Sequence, residues 1–428
     1  MSSQTQTIQT KGIYHGLPTY PSDLKGLTAI ITGANGISGY HMLKVLAQSP
    51  ERWTKIYCLS RRPPAIPGEP KEIAQTLREK GVKADHVFFY SYVQVPPKEG
   101  GGIWSDADEM VRVNKALLSN FLDALPLAEI TPKRIMLQTG AKITGRPSPI
   151  SPVAKRLTVP SIHLGPAKMP QEESDPRVEL EPNFYYPQED VLDEYAARTN
   201  TKWSVVMPSN ILGAVPDAAM NLVFPLAVYA TVQSHLKQPL RFPGGLKAWE
   251  TPQDQSSAVL NGYLEEWAVL REQGPRGEKY NTADGSAFTW GGFWPTLAKW
   301  YGVEWEGPKL EGLKAGKTPY EPPPRGEFGP PGTREFSFTI TEWAKKPEVQ
   351  SAWKEIAQRN NLEVKELRDV DRIFGFLDGA LSGVAIFYSM NKLRKAGFFG
   401  TVDTAECILE VLQDFHDLKM IPAVPKSG

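Results

Sequence analysis

A doubly wound α/β fold, with a smaller and mostly helical lobe toward the C-terminus, is the architecture this sequence predicts. Three observations carry it. Short apolar runs rich in β-branched residues recur through the first half of the chain. Helical patterns separate them, and a glycine triplet closes the first strand-to-helix turn. Such alternation builds a parallel sheet covered on both faces, with ligands at the carboxyl ends of its strands.

The elements follow in order. LTAIITG, residues 27–33, reads as a buried strand, and Gly36 and Gly39 lead into YHMLKVLAQSP, a helical pattern stopped by proline. KIYCLS at 55–60 is the second strand and HVFFYSYV at 86–93 the third, followed by a helix over 110–125. RIMLQTG at 134–140 and WSVVMP at 203–208 are the fourth and fifth strands. Beyond Pro208 a helix over 221–237 precedes LRFPGG, and YNTADG at 280–285 reads as one more strand returning to the sheet. The proline-rich stretch 318–333 is expected to be a linker or extended surface loop. Residues 373–390, IFGFLDGALSGVAIFYSM, barely reach spanning length and enclose Asp378, so a buried helix beside the active site is expected instead. The division is then a nucleotide-binding domain over 21–215, with about 238–290 partly rejoining its sheet, and a substrate lobe over 216–428.

Composition narrows the function. Lysine plus arginine total 48 and aspartate plus glutamate 48, which argues against a nucleic-acid surface. Two cysteines, Cys58 and Cys407, supply no disulfide framework and suit a reducing, cytoplasmic compartment. The start, MSSQTQTIQT, lacks the basic and apolar segments of a signal peptide. No membrane span and no metal are expected, and the protein is taken as a monomer or homodimer.

Four motifs carry chemistry. TGANGISG at 32–39 places glycines where the backbone must approach a pyrophosphate on a helix N-terminus. SRRPP at 60–64 offers Arg61 and Arg62 to the 2′-phosphate of NADP(H), where an NAD site would carry an acid. NFYYPQED at 183–190 presents Tyr185 as an acid or oxyanion donor, yet the lysine usual four residues later is replaced by Glu189. LQTGAK at 137–142 supplies Lys142 from a strand end instead. On this reading Tyr186 packs, and Glu189 and Asp190 face solvent.

These motifs, with WSVVMPSNILG, MNLV at 220–223, KAWE at 247–250 and NTADGSAFTWGGFW at 281–294, resemble the progesterone 5β-reductase and iridoid synthase-like (PRISE) family. This is an atypical branch of the short-chain dehydrogenases/reductases, and the resemblance spans about 27–305 and 370–423. It implies a Rossmann-type fold, NADPH, and hydride addition to the β-carbon of an enone or enal, in specialised metabolism. It places the catalytic pair on Lys142 and Tyr185. The expected cofactor contacts are Thr32, Gly33, Asn35, Gly36, Ile37 and Gly39, then Ser60, Arg61 and Arg62. Further along they are Ser91, Tyr92, Thr139, Gly140, Pro208, Ser209, Asn210 and Ile211. Ile143, Thr144, Met220 and Phe376 are expected to line the substrate pocket.

Ile143 and Thr144 depart from the family's bulkier residues after the lysine, and Met207 replaces its arginine. The substrate therefore does not carry over. Carbonyl reduction or alcohol oxidation, a cofactor-retaining isomerase or cyclase, and a non-catalytic NADP sensor remain open alternatives. Returning the lysine to position 189 in a Lys142→Ala background is expected to restore part of the rate.

Overall fold

The computed structural model describes residues 7–60, 69–96, 98, 105–140, 169–177, 182–309, 314–316, 334–383 and 385–425. Two short strands, β1 (Ile8–Lys11) and β2 (Tyr14–Pro18), pair antiparallel at the start. Strands and helices then alternate: β3 (Leu27–Thr32), α1 (Ile37–Ala47), β4 (Trp53–Leu59), α2 (Pro70–Glu79), β5 (His86–Phe89), α3 (Ala107–Leu127), β6 (Arg134–Gln138), α4 (Tyr185–Thr199) and β7 (Lys202–Pro208). Next come β8 (Asn210–Leu212), α5 (Val223–His235), β9 (Leu240–Arg241), α6 (Leu246–Glu250), β10 (Gln255–Ser257), α7 (Ala258–Leu270), β11 (Gly277–Thr282) and α8 (Trp290–Tyr301). The remaining elements are β12 (Trp305–Glu306), β13 (Lys314–Gly316), β14 (Arg334–Phe336), α9 (Ile340–Ala344), α10 (Pro347–Arg359), α11 (Val370–Ala380), α12 (Asn391–Ala396) and α13 (Thr404–Asp417).

Six strands form the central sheet in the order β11-β7-β6-β5-β3-β4, all parallel. Their side chains alternate between two cores. Ala29, Ile31, Phe88, Met136 and Val206 join Met42 and Leu46 of α1 and Leu260 and Leu264 of α7. Ile30, Val87, Phe89, Ile135, Leu137, Val205 and Met207 join Leu118 and Phe121 of α3 and Leu192 of α4. Strands buried on both sides need apolar residues at nearly every position, which explains why the sequence shows continuous apolar runs. Met207 is fully buried in the second core, a place that suits a flexible thioether. The first core continues through Trp294 of α8, Trp343 of α9, Trp353 of α10 and Phe415 of α13, so the helical C-terminal part packs against it.

Several boundaries differ from expectation. The strand expected over 86–93 ends at Phe89, because side chains take over the backbone partners beyond it. Thr32 Oγ1 accepts from the Tyr90 and Ser91 amides at 3.1 and 3.2 Å. Asn114 of α3 accepts from the Val93 amide at 2.9 Å and donates to its carbonyl at 3.0 Å. The returning strand begins at Gly277 and stops at Thr282, short of the expected 285. The helix expected through 390 stops at Ala380. Past it, Ile386 and Tyr388 form single bridges to Gln253 and Gln171, so this stretch extends along other chain segments. Asp378 accepts from the Ile340 and Thr341 amides at 2.6 and 3.1 Å and holds the start of α9. The proline-rich stretch 318–333 lies outside the described residues.

Behind the sheet, the buried Glu265 of α7 accepts from the Tyr90 hydroxyl, and burial pushes its carboxyl from 4.5 up to about 8. A raised carboxyl contributes fully below its unfolded value and loses that contribution as pH climbs through its folded value. Glu265→Gln removes this linkage. Relative to the variant, the native chain is expected to lose at most about 1.4 kcal/mol per pH unit between 4.5 and 8, levelling off above. Urea unfolding across that range checks it; parallel curves would refute the assignment.

Candidate active site

The first turn of the sheet is built by glycine. Gly33 has φ +68, and a Cβ there would lie 3.0 Å from the Tyr90 carbonyl group. A Cβ on Gly39 would meet the Gly33 carbonyl oxygen at 2.4 Å, so close packing of α1 on β3 excludes any side chain. A Cβ on Gly36 would touch only the Gly33 oxygen, at 3.3 Å, and otherwise face open space. That open side is where a backbone can approach a bound phosphate. Gly36 is the N-cap of α1, whose first turn holds no acid, so its exposed amides and dipole favour an anion. Asn35 of the turn donates to Ser60 Oγ at 3.1 Å, tying it to the end of β4. Ile37, half-buried, opens the helix. Arg61 and Arg62, which follow Ser60, lie outside the described residues.

The adjacent strand ends converge on Tyr185. This residue starts α4, its amide donating to Asn183 Oδ1 at 3.1 Å. A Cβ placed on Gly140 would sit 3.3 Å from the Tyr185 hydroxyl and 3.7 Å from the Pro208 carbonyl oxygen. The hydroxyl therefore stands at the carboxyl edge, where β6 and β7 end side by side. Burial pushes this phenol well above its ordinary pKa, so it stays protonated. Its ring packs on Phe184 with centroids 4.5 Å apart, and Phe184 stacks on Tyr92 at 5.8 Å. Met220 packs against the same small cluster, which includes Val95 and Met110. Tyr92, Tyr185 and Met220 are thus brought together. Phe376 instead packs on the main core from α11. Lys142, Ile143 and Thr144 lie outside the described residues.

Besides Asn35 and Ser60, two more expected contacts are already engaged within the fold. Thr32 holds the Tyr90–Ser91 turn, as above. Ser209 donates through its hydroxyl to the Asp254 carbonyl and accepts from the Asn210 amide at 2.6 Å. By contrast, Thr139 Oγ1 and Asn210 Nδ2 are buried without a partner among the described residues, and a ligand could satisfy both. Ile211 pairs with Ser256 in the short β8–β10 ladder.

Other residues shape the site without a signal in the sequence. Gln188 donates to the Asn114 carbonyl at 2.9 Å, linking α4 to α3. Tyr388 donates to the Pro208 carbonyl at 3.2 Å. Glu189 corrects an expectation outright: it is buried, not solvent-facing, and only Asp190 is exposed. Its Oε2 accepts from Lys279 Nζ of β11 at 2.9 Å and from Arg177 Nη2 at 3.1 Å. A lysine placed at 189 would stand against both cations, so the rescue expected from Glu189→Lys is withdrawn. Tyr186 packs as expected, beneath the Arg177 guanidinium at 5.1 Å.

Comparison with known proteins follows from this arrangement. A family model described as a PRISE-like Rossmann-fold domain matches residues 86–321, more than half of the chain. An uncharacterized protein of Schizosaccharomyces pombe is 30% identical over 435 residues, covering 93% of this chain and 99% of its own. A 3-oxo-Delta(4,5)-steroid 5-beta-reductase of Arabidopsis thaliana is 28% identical, covering 94% and 95%. An (S)-8-oxocitronellyl enol synthase of Camptotheca acuminata is also 28% identical, again over 94% and 95%. Among solved structures, dTDP-4-dehydrorhamnose reductase of Bacillus anthracis in complex with NADP shares the fold. Its TM-score is 0.51 at 11% identity, over 91% of this chain and 99% of that one.

Gly39→Ala tests the turn. Its Cβ would press on the backbone of Gly33, so α1 must move. The variant is expected to lose about 1–3 kcal/mol of stability. It should also weaken binding of a reduced nicotinamide dinucleotide about tenfold or more, followed by nucleotide fluorescence. Unchanged binding would remove the turn from the site.

Proposed function

The chain belongs to the PRISE family of Rossmann-fold proteins, and from that premise we propose that it is an NADPH-dependent reductase of α,β-unsaturated carbonyl compounds. The addition is to the β-carbon of an enone or enal. One observation carries the reading most: the Tyr185 hydroxyl stands beside Gly140, at the carboxyl edge of the parallel sheet where β6 and β7 end.

The residues present fit the cofactor. The glycine turn leaves its open side at Gly36, and Thr139 Oγ1 and Asn210 Nδ2 are buried donors without partners among the described residues. Arg61 and Arg62 follow Ser60, which the turn itself contacts through Asn35, and they are assigned to the 2′-phosphate. When bound, the reduced nicotinamide supplies the hydride. Tyr185 donates to the substrate oxygen, where negative charge collects; one such donor contributes about 3–4 kcal/mol to the transition state. Proton delivery to that oxygen leaves an enol, and the enol synthase among the relatives carries that product in its name.

Burial alone leaves Tyr185 a weak acid, so a neighbouring cation is required to ease proton transfer. Lys142 is assigned that role. It lies two residues past Gly140, and covalent geometry alone keeps its Cα within ~7 Å of the glycine's. Met220 and the Tyr92–Phe184 stack then form an apolar wall beside the acceptor. Residues 21–215, with 238–290 rejoining the sheet, would hold the cofactor, and 216–428 the substrate lobe. No helix among the described residues is long and apolar enough to cross a membrane. Free Cys58 and Cys407 suit a cytoplasmic setting, and the relatives' names suggest specialised metabolism.

Incubation with NADPH and cyclohexenone, with product identification, tests the reaction: cyclohexanone is expected, and an allylic alcohol would overturn 1,4-addition. Tyr185→Phe should lower kcat about 100-fold with NADPH affinity unchanged, while Tyr186→Phe stays mild. Arg61→Ala with Arg62→Ala should weaken NADPH binding about 10- to 100-fold and leave NADH binding nearly unaffected. Equal losses for both cofactors would reject the phosphate assignment.

A further inference from the structure

Position 189 lies one helical turn beyond Tyr185, where a lysine of the common tyrosine–lysine pair would stand. Its glutamate is only 4% exposed, yet it is ionically paired twice through a single oxygen. Lys279 comes from β11, in register with Val205 of β7, so the pair ties α4 to the sheet edge. Three residues further along β7 is Pro208, whose carbonyl, like the Tyr185 hydroxyl, lies close to Gly140. Arg177 grips the same turn. It forks onto Asp190 at 2.7 and 3.2 Å, reaches the Tyr186 carbonyl at 3.4 Å and covers the Tyr186 ring. At the start of α4 the N-cap, Phe184, makes no side-chain cap bond, and Asn183 Oδ1 accepts from the Tyr185 amide instead.

We propose that Glu189 is a positioning residue: by recruiting Lys279 and Arg177 it fixes the first turn of α4 and so aims the Tyr185 hydroxyl at the reacting oxygen. The inference rests on the reading of Tyr185 as the proton donor. The effect is one of placement, because burial, not a neighbouring described charge, sets the state of the phenol. Loss of a purely structural ion network would lower stability without changing the turnover of the folded protein. A positioning network changes turnover as well, because small displacements of a donor cost rate steeply.

The test uses the full chain, with 3-fluorotyrosine placed at 185 or, as a control, at 195. Glu189→Gln and Lys279→Met are each expected to lower kcat about 10- to 100-fold on cyclohexenone, well below their unfolding temperatures. NADPH affinity should stay within about twofold, Lys279→Arg should recover most of the rate, and the double variant should cost no more than the worse single one. The fluorine resonance at 185 should shift while that at 195 does not. Should either variant fail to fold, Arg177→Met, which removes a half-exposed partner, is expected to show the same changes at smaller size. Unchanged kcat with an unmoved 185 resonance would overturn the proposal. If Tyr185→Phe leaves turnover intact, the donor reading fails, while the fluorine shift still decides whether Glu189 places the ring.

Discussion

Parallel pairing of β3, β5, β6 and β7 is the constraint on which the rest of the molecule depends. Parallel strands end together, so whatever follows them emerges on one edge. Thr32 is level with Phe89, Phe89 with Leu137, and Gln138 with Val206. Gly33, Tyr90, Gln138 and Val206 therefore share one level on strands about 4.8 Å apart, and Gly140 and Pro208 lie two residues further on, past β6 and at the end of β7. A slip of one residue would send each strand's core side chains to the wrong face, and two apolar cores resist it at once. The glycine turn, the Tyr185 hydroxyl and the unpartnered Thr139 hydroxyl all inherit their places from this register.

The strands were legible because burial on both faces leaves little choice of residue. Ala29 to Thr32, Val87 to Phe89 and Val205 to Met207 are apolar or β-branched nearly throughout, and the triplet of glycines could mean little else at a strand end. The boundaries were less legible, for a physical reason. A strand ends where its amides find other partners, and those partners can be far away in sequence: Asn114 for Val93, Thr32 for Tyr90. Nothing in the local pattern HVFFYSYV announces them. Ile386 to Ser389 misled in the same way, since an apolar run reads as helix until its bridges to Gln171 and Gln253 are known.

Glu189 shows a sharper limit. A glutamate followed by an aspartate on a helix reads as a solvated face, and for Asp190 that reading holds. For Glu189 it fails, because the side chain points at a strand that is distant in sequence and carries Lys279 at the matching height. Burying one carboxylate is costly; two cations with good geometry offset that cost, and removing one of them exposes it. The opposite logic rules behind the sheet. Asp284 is buried against the Ser257 amide and the Thr404 hydroxyl, and Glu265 against the Tyr90 hydroxyl, so burial pushes them up to about 7 and about 8. The tyrosine-bearing helix thus rests on an ion-paired glutamate, while burial pushes these two carboxyls toward the neutral form.

That asymmetry bears on the displaced lysine. When tyrosine and lysine share one helical turn, the helix both places the hydroxyl and supplies its cation. Here the two tasks are divided on the proposed reading. Glu189, Lys279 and Arg177 hold α4, spending their charge on one another, so none is left to ease proton loss from Tyr185. On the same reading the cation is assigned to Lys142, two residues beyond Gly140 in sequence. Such a division frees the segment after β6 to change with the acceptor it meets, while the tyrosine stays where α4 and the sheet register put it. Gly140 is the point where the two arrangements touch: any side chain there would press on the hydroxyl at 3.3 Å. The absence of a Cβ at that one position keeps the hydroxyl uncrowded on the side of the strand end.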